Sequence, residues 1–458
     1  MKIVMKFGGT SLGDSQRIRH CARLVRDQAG RDRVAVVVSA MDGVTEELLE
    51  LADAAGAGDR PAVEARLEGI RRRHEEAAHA LGKPGLPNAL LEGLERLALG
   101  ISAVGECTPR SRDAVVSHGE RLSALLFHRA LELEGVRARV RTGQEAGLVT
   151  NDRFGEAEPL LDPSLRRMRE ILGTALEEGE IPVVTGFIAA TAQGIPTTIG
   201  RGGSDYTATL VGAALEADEI WLLSDVDGLM SADPRIVPEA RRLERIPFAE
   251  ALEMGMFGAK SMHPRALEPA AERGIPVRLK NTFKPSGEGT LITNEGPFRK
   301  DLVRAVLLVG DVGLVTVTGA GMMGRPGTAA RIFKALGDEG INIRMIVQSV
   351  SEAGISFVTS GKRLSSARAA LEASVLRTGE ARRLEVEEHV AIVAVVGSNM
   401  KGVPGVAARV FSAVARRGVN VIAIAQGSSE LSISLAVRDD SGPEAVRAIH
   451  GEFLPPGA

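Results

Sequence analysis

Two stretches of this chain, Gly319–Val358 and Gly397–Ala436, align without a gap at a constant offset of 78: Gly397 minus Gly319, Pro404 minus Pro326 and Gln426 minus Gln348 all give that value. An ungapped internal repeat is one supersecondary unit used twice, so any fold proposed for the first copy must also serve the second. Each copy reads as a strand, a Gly/Pro turn, a helix containing Ala-Ala-Arg, a strand entered through Gly-x-Asn (Gly340–Asn342, Gly418–Asn420) and a further strand after Ser-Glu. That order suits a small ferredoxin-like α+β module. Gly319–Gly324 (GAGMMG) also satisfies the G-x-G-x-x-G pattern of dinucleotide sites. The second copy, Gly397–Gly402 (GSNMKG), loses the middle glycine, and the strand Ile341–Gln348 ends without an acid to meet a ribose, so both observations argue against such a site.

The pattern before the repeat is different. Ile3–Phe7 is strand-like, breaks at Gly8-Gly9 and leads into a helix expected from about Ser15 to Gln28. Arg33–Ser39 (RVAVVVS) is a continuous β-branched run, as expected of a strand covered on both faces, and Ile181–Thr185 and Glu219–Leu223 read the same way. Glu46–Leu99 is Ala, Leu and Glu rich at helical spacing, and helical runs follow Gly119 and Ser204. Strands alternating with helices as far as Thr282 predict an α/β domain on a mainly parallel sheet, with ligands beyond the carboxyl ends of its strands. Lys284–Arg299 concentrates Pro, Gly and polar residues, which predicts a boundary. The expected division is 1–283 for this domain, 284–303 for a linker, and 304–384 and 385–458 for the two modules.

With 458 residues and a net charge of -3, the chain is too long for one core and gives no electrostatic reason to expect nucleic acid or an anionic membrane as partner. It shows no secretory leader and no apolar run of the roughly 18 residues that would span a bilayer, so a cytoplasmic location is expected. Cys21 and Cys107 are the only cysteines and are read as reduced. His118 and His263 are read as packed or solvent-facing, and no metal-ligand spacing accompanies them.

Three short motifs carry the chemistry. Lys6-Phe7-Gly8-Gly9-Thr10-Ser11 lies where a strand gives way to a helix; glycines there let backbone N–H groups approach a phosphate, and Lys6 adds a point charge. No Walker A sequence occurs. Gly200-Arg201-Gly202-Gly203-Ser204-Asp205 is a second glycine turn opening a helix, where Arg201 can grip a carboxylate and Asp205 can orient a lysine. Ser117-His118-Gly119-Glu120 puts an acid in a first helical turn, suited to a substrate ammonium if it faces a cleft. Each has an ordinary structural reading as a turn, an N-cap or a dipole partner, but two glycine turns in one α/β domain favour a site.

Together these residues resemble the aspartokinase family, in its monofunctional form with a catalytic domain followed by two amino-acid-binding ACT modules. The resemblance spans the chain and is carried by Lys6–Ser11, Ser39–Thr45 (SAMDGVT), Thr108–Asp113 (TPRSRD), Ser117–Glu120, Gly200–Tyr206 (GRGGSDY), Asp233–Arg235 (DPR), Phe257–Lys260 (FGAK) and His263-Pro264. It implies an amino-acid-kinase fold and ATP-dependent phosphorylation of the aspartate side chain, with Mg2+ held mainly by the phosphates. By the same carry-over Lys6 and Asp205 are catalytic, and Ser39, Thr45, Glu120, Arg201 and Ser204 bind aspartate. Lys6, Phe7, Gly8, Gly9, Ser224, Asp225, Met230, Arg235 and Lys260 border ATP. A feedback amino acid, lysine or threonine, is expected near Met323, Gly324, Gly327, Thr328, Asn342, Ile343 and Gln348, with Asn420 and Gln426 in the second copy, in a homodimer or homotetramer built through the ACT modules. The family often has Thr where Ser224 stands and Tyr where Met230 stands. The second copy reads Gln426-Gly427-Ser428 where the first has Gln348-Ser349-Val350, so the two modules need not take the same ligand. The length leaves no expected room for a homoserine dehydrogenase after the second copy. The rival readings are a kinase for another small acid such as glutamate, and an amino-acid sensor on a decayed kinase; Lys6, Arg201, Glu120 and Asp205 all being present argues against decay.

Overall fold

A computed structural model describes residues 1–258, 263–295, 301–348, 353–377, 379 and 381–455. The chain forms two compact units: the first comprises Met1–Leu229, Glu244–Leu252 and Ser261–Phe298, the second Met230–Leu243, Glu253–Lys260 and Arg299–Ala458.

The first unit is built on an eight-stranded sheet. Its order is Ala138–Arg141, Ile181–Thr185, Arg33–Val38, Lys2–Phe7, Glu219–Ser224, Val277–Asn281, Thr290–Ile292 and Arg245–Ile246. The first six strands are mutually parallel; Thr290–Ile292 runs antiparallel to Val277–Asn281. Val34–Val38 are at most 1% exposed, which is why an unbroken, valine-rich apolar run reads as a strand with helices on both faces. The expected helix after Gly9 runs Ser15–Ala29, with the Asp14 side chain accepting the Arg17 N–H at its start. The long helical stretch is three helices, Val44–Gly56, Arg60–Ala80 and Asn88–Val104, broken at Gly58 and at Gly82–Pro87. Lys2–Phe7 lies between Arg33–Val38 and Glu219–Ser224, so the sheet's winding reverses beside the strand that carries Lys6. A small sheet of Val149–Thr150, Ile188–Thr191 and Pro196–Thr198 delivers the chain into Gly200.

The second unit holds both repeat copies in one six-stranded sheet. Its long strands Ala305–Thr318 and Arg383–Val396 sit side by side, antiparallel, at the repeat offset. Val312–Thr318 joins Gly354–Ser360 and Ile343–Gln348 of its own copy, while Ala305–Val309 pairs with Ile392–Val396 of the other. Conversely Val390–Val396 joins Ser432–Arg438 and Val421–Gln426, and Arg383–Glu387 closes the first copy. The apolar clusters follow this exchange: Val306 and Leu308 pack with the second copy, Leu384 and Val386 with the first. The repeat survives in the backbone, with φ +88° at Gly327 and +86° at Gly405. Gly319–Gly324 therefore follows a strand of an antiparallel sheet, not the first strand of a parallel dinucleotide fold.

Candidate functional site

The carboxyl ends of five neighbouring parallel strands in the first unit are stitched into one rim. Gly8 N–H donates to Leu223 O (3.0 Å), Ser39 N–H to Phe7 O (3.2 Å), Gly186 N–H to Val38 O (2.9 Å) and Thr282 N–H to Ser224 O (2.8 Å). The rim carries the two glycine turns' partners. A Cβ on Gly8 would sit 3.7 Å from Lys6 Nζ and 3.9 Å from Ser224 Cβ, and one on Gly9 would sit 3.2 Å from Ala40 O. The Gly8–Gly9 backbone thus packs against Lys6, Ser224 and the Ser39–Thr45 loop, the loop that enters the helix Val44–Gly56 through Gly43 at φ +76°.

Lys6 Nζ meets Asp205 Oδ1 at 2.5 Å, and both side chains are nearly buried. Asp205 stands in the first turn of the helix Gly203–Leu215, which Gly202 opens at φ +75°. A Cβ at Gly202 would fall 2.3 Å from His263 Cβ, so only glycine fits there. Ser204 is held against Gly186, where a Cβ would come within 2.7 Å of its own. Glu120, in the first turn of His118–Leu133, is 3% exposed. Its Oε1 accepts the Ala40 N–H at 3.2 Å, while Oε2 is buried and without a partner among the described residues. Burial pushes its carboxyl up to about 8 against the pull of its own and Ala40's N–H groups and of Lys6. A buried carboxylate oxygen lacking a partner is an unmet demand for a donor, and an ammonium group would satisfy it.

Arg201 lines a cleft of about 190 Å³ with Arg153, Glu156, Tyr206, His263 and Arg265. Among the described residues no ion pair or hydrogen bond engages its guanidinium, whereas Arg153 is paired to Glu158 and Arg265 lies over the Tyr206 ring. His263 is held below the usual imidazole range by burial and by the charges of Arg201 and Arg265. His118 is a core residue: Nδ1 faces Ala114 O at 3.0 Å and burial lowers its pKa to about 4.

Not every expected residue joins this rim. The Phe7 side chain is fully buried against Phe127, and the residue offers only its backbone. Met230 and Arg235 belong to the second unit; Met230 bridges Arg242, and the Arg235 guanidinium is held by Asp233. Lys260 lies outside the described residues. Asp225 is tied in by a residue the motifs did not flag: Asn281 Nδ2 donates to Asp225 O (3.1 Å) and Asp227 Oδ1 (2.6 Å). Its only signal was an Asn at the end of a strand. In the second unit Met323, Gly324, Gly327, Asn342, Gln348, Asn420 and Gln426 are exposed, Ile343 is half-buried and Thr328 is buried. Ser349–Glu352 are outside the described residues. Among the described residues no three His, Cys, Asp or Glu side chains gather around a metal position, and no helix is long and apolar enough to cross a membrane.

The profile of the Amino acid kinase family matches residues 1–281, and that of the ACT domain matches 315–375 and 393–453. Aspartokinase 2, chloroplastic, of Arabidopsis thaliana is 34% identical over 98% of the chain and 84% of its own length. The solved structure of E. coli aspartokinase III in complex with aspartate and ADP (R-state) superposes with a TM-score of 0.84 at 31% identity, covering 99% of this chain and 100% of that one. The same enzyme in complex with lysine and aspartate (T-state) gives 0.81 at 32%, covering 99% of both chains. The chain spans about half the length of the bifunctional aspartokinase/homoserine dehydrogenases it also matches, for instance 50% of one from Arabidopsis thaliana at 34% identity over 98% of the chain.

Proposed function

The chain belongs to the amino acid kinase family as an aspartokinase, and from that premise we propose that it transfers the γ-phosphoryl group of ATP to the side-chain carboxylate of L-aspartate, giving 4-phospho-L-aspartate. The observation that carries the reading is the Lys6–Asp205 pair at 2.5 Å beside the Gly8–Gly9 turn. An acceptor carboxylate is already ionised at neutral pH, so the reaction needs positioning and charge neutralisation but no dedicated base. Asp205 fixes the Lys6 ammonium, which meets the charge spreading over the transferring phosphoryl oxygens. Glu120 Oε2 takes the substrate ammonium and the Arg201 fork its α-carboxylate, leaving the β-carboxylate free to attack. Magnesium supplies further charge neutralisation; we place it chiefly on the phosphates, as suits a cation that keeps few protein ligands.

Feedback control by lysine or threonine at the ACT modules, assembly into a homodimer or homotetramer and a cytoplasmic location complete the reading. The feedback part of it is supported by the lysine-bound state of the E. coli relative. An ATP-dependent hydroxamate assay tests the core of it: aspartate should be turned over and glutamate should not. Comparable turnover of the two acids would sink the reading of aspartate as the substrate.

A further inference from the structure

The groups proposed for the two ends of the amino-acid backbone sit on different elements, Glu120 on a helix and Arg201 in a turn after a short strand. Something must hold the gap between them constant, because the ammonium and α-carboxylate they would grip sit on one carbon at a fixed separation. One side chain touches both approaches. Asp113 lies in the helix Pro109–Val116, which runs through Ser117 into the helix bearing Glu120. It is 2% exposed, and its carboxylate accepts three hydrogen bonds: from Thr198 Oγ1 (2.7 Å), Thr198 N–H (3.0 Å) and Gly155 N–H (2.9 Å). Thr198 is the last residue of the strand leading into Gly200-Arg201, and Ala157 N–H donates back to Thr198 O at 2.9 Å. Gly200 leans on the other partner, since a Cβ there would meet Gly155 O and Glu156 Cγ, both at 3.6 Å.

We propose that Asp113 is a positioning residue that sets the span between Glu120 and the Arg201 turn, and through it the enzyme's grip on the ammonium and α-carboxylate of aspartate. The inference rests on the reading just given and deepens it. The geometry suits the task because both carboxylate oxygens are filled from the Arg201 side while the Cα belongs to the Glu120 side. Burial raises the Asp113 carboxyl above the ordinary carboxylate range, opposed by those three donors. A buried acid whose two oxygens are both filled by donors from the Gly155 loop and Thr198 is a tether between elements, not a surface ornament.

The test compares steady-state constants for aspartate, glutamate and ATP in the wild type, Asp113→Asn and Thr198→Val. An asparagine retains the shape but turns an amide NH2 toward donors; valine removes only the Oγ1 bond. Asp113→Asn should raise the KM for aspartate by roughly 10- to 100-fold, the scale of rate and binding losses from sub-ångström to ångström misplacement. The KM for ATP should stay within about twofold, because the nucleotide loops are not tied to Asp113, and Thr198→Val should shift both constants the same way by less. Neither variant should gain on glutamate relative to aspartate, because both acids carry the same ammonium and α-carboxylate. An unchanged aspartate KM, or equal losses for aspartate and ATP that track a lowered Tm, would overturn the positioning role. Thr198→Val keeps the test open should Asp113→Asn fail to fold. A wild type inactive on aspartate defeats the functional reading itself, which is a separate outcome from active variants with an unaltered KM for aspartate.

Discussion

A carboxyl group enclosed by apolar atoms resists ionisation, and in Glu120 that resistance has a measurable sign. The acid must be ionised to hold an ammonium, yet burial keeps it protonated up to about 8. Aspartate binding below that pH therefore has to expel a proton, so the KM for aspartate should fall as pH rises from 6 toward 8 and level off above. Glu120→Gln should give a higher and pH-independent KM, and a wild-type profile flat from 6 to 8 would show that the carboxyl is ionised without substrate. The ligand-free fold follows the same linkage: the folded pKa lies above the ordinary 4.5, so the contribution is fully present below 4.5 and lost as pH rises through about 8. Lys6→Ala should cut kcat by on the order of 100-fold or more with little change in Tm, because one charge aimed at a transferring phosphoryl commonly has that weight. An active Lys6→Ala enzyme would refute the role. Lys6, Glu120, Arg201 and Asp205 were legible because a charged residue beside glycines or in a first helical turn announces itself locally. Asp113 was visible only as part of a motif, since nothing local shows that its partners lie 42 and 85 residues away.

At the scale of elements, the strand ends matter more than the strands. The loop after Glu219–Ser224 is pinned by Asn281, whose Nδ2 holds Asp225 and Asp227 and whose Oδ1 accepts the Phe283 N–H at 2.8 Å. Asn281→Ala should release that loop and raise the KM for ATP several-fold, with the aspartate constant little altered; an unchanged ATP constant would mean that the loop does not border the nucleotide. The buried parallel strands were readable because each is a short run of consecutive apolar residues between turn signals, as in Val34–Val38 and Ile220–Leu223. Short elements were not. Thr290–Ile292 lies inside the Pro/Gly-rich stretch after Lys284 yet pairs with Val277–Leu279, and three residues carry too little periodicity to signal it. The breaks at Gly58 and Gly82–Pro87 were likewise hidden by helical composition on both sides.

For the whole molecule, the repeat made the regulatory architecture legible down to the offset, but not the exchange of half-strands, because pairing partners are chosen in space and both copies present the same sequence pattern. Asn342 and Asn420 occupy matching exposed positions, entering strands at opposite edges of the sheet. Calorimetry should detect lysine or threonine binding to the wild type, and Asn342→Ala should abolish it while leaving uninhibited turnover close to wild type. Asn420→Ala should behave differently, given Gly427-Ser428 in place of Ser349-Val350; absence of binding by the wild type ends the regulatory reading. The exchanged half-strands have one more consequence. A chain carrying a single copy with its long strand intact would hold five residues too many at one end and lack the five that finish its own sheet. Two such chains could satisfy each other only by meeting, at a rate and to an extent set by their concentration. With both copies on one chain, that encounter becomes a matter of connectivity, and dilution cannot reverse it.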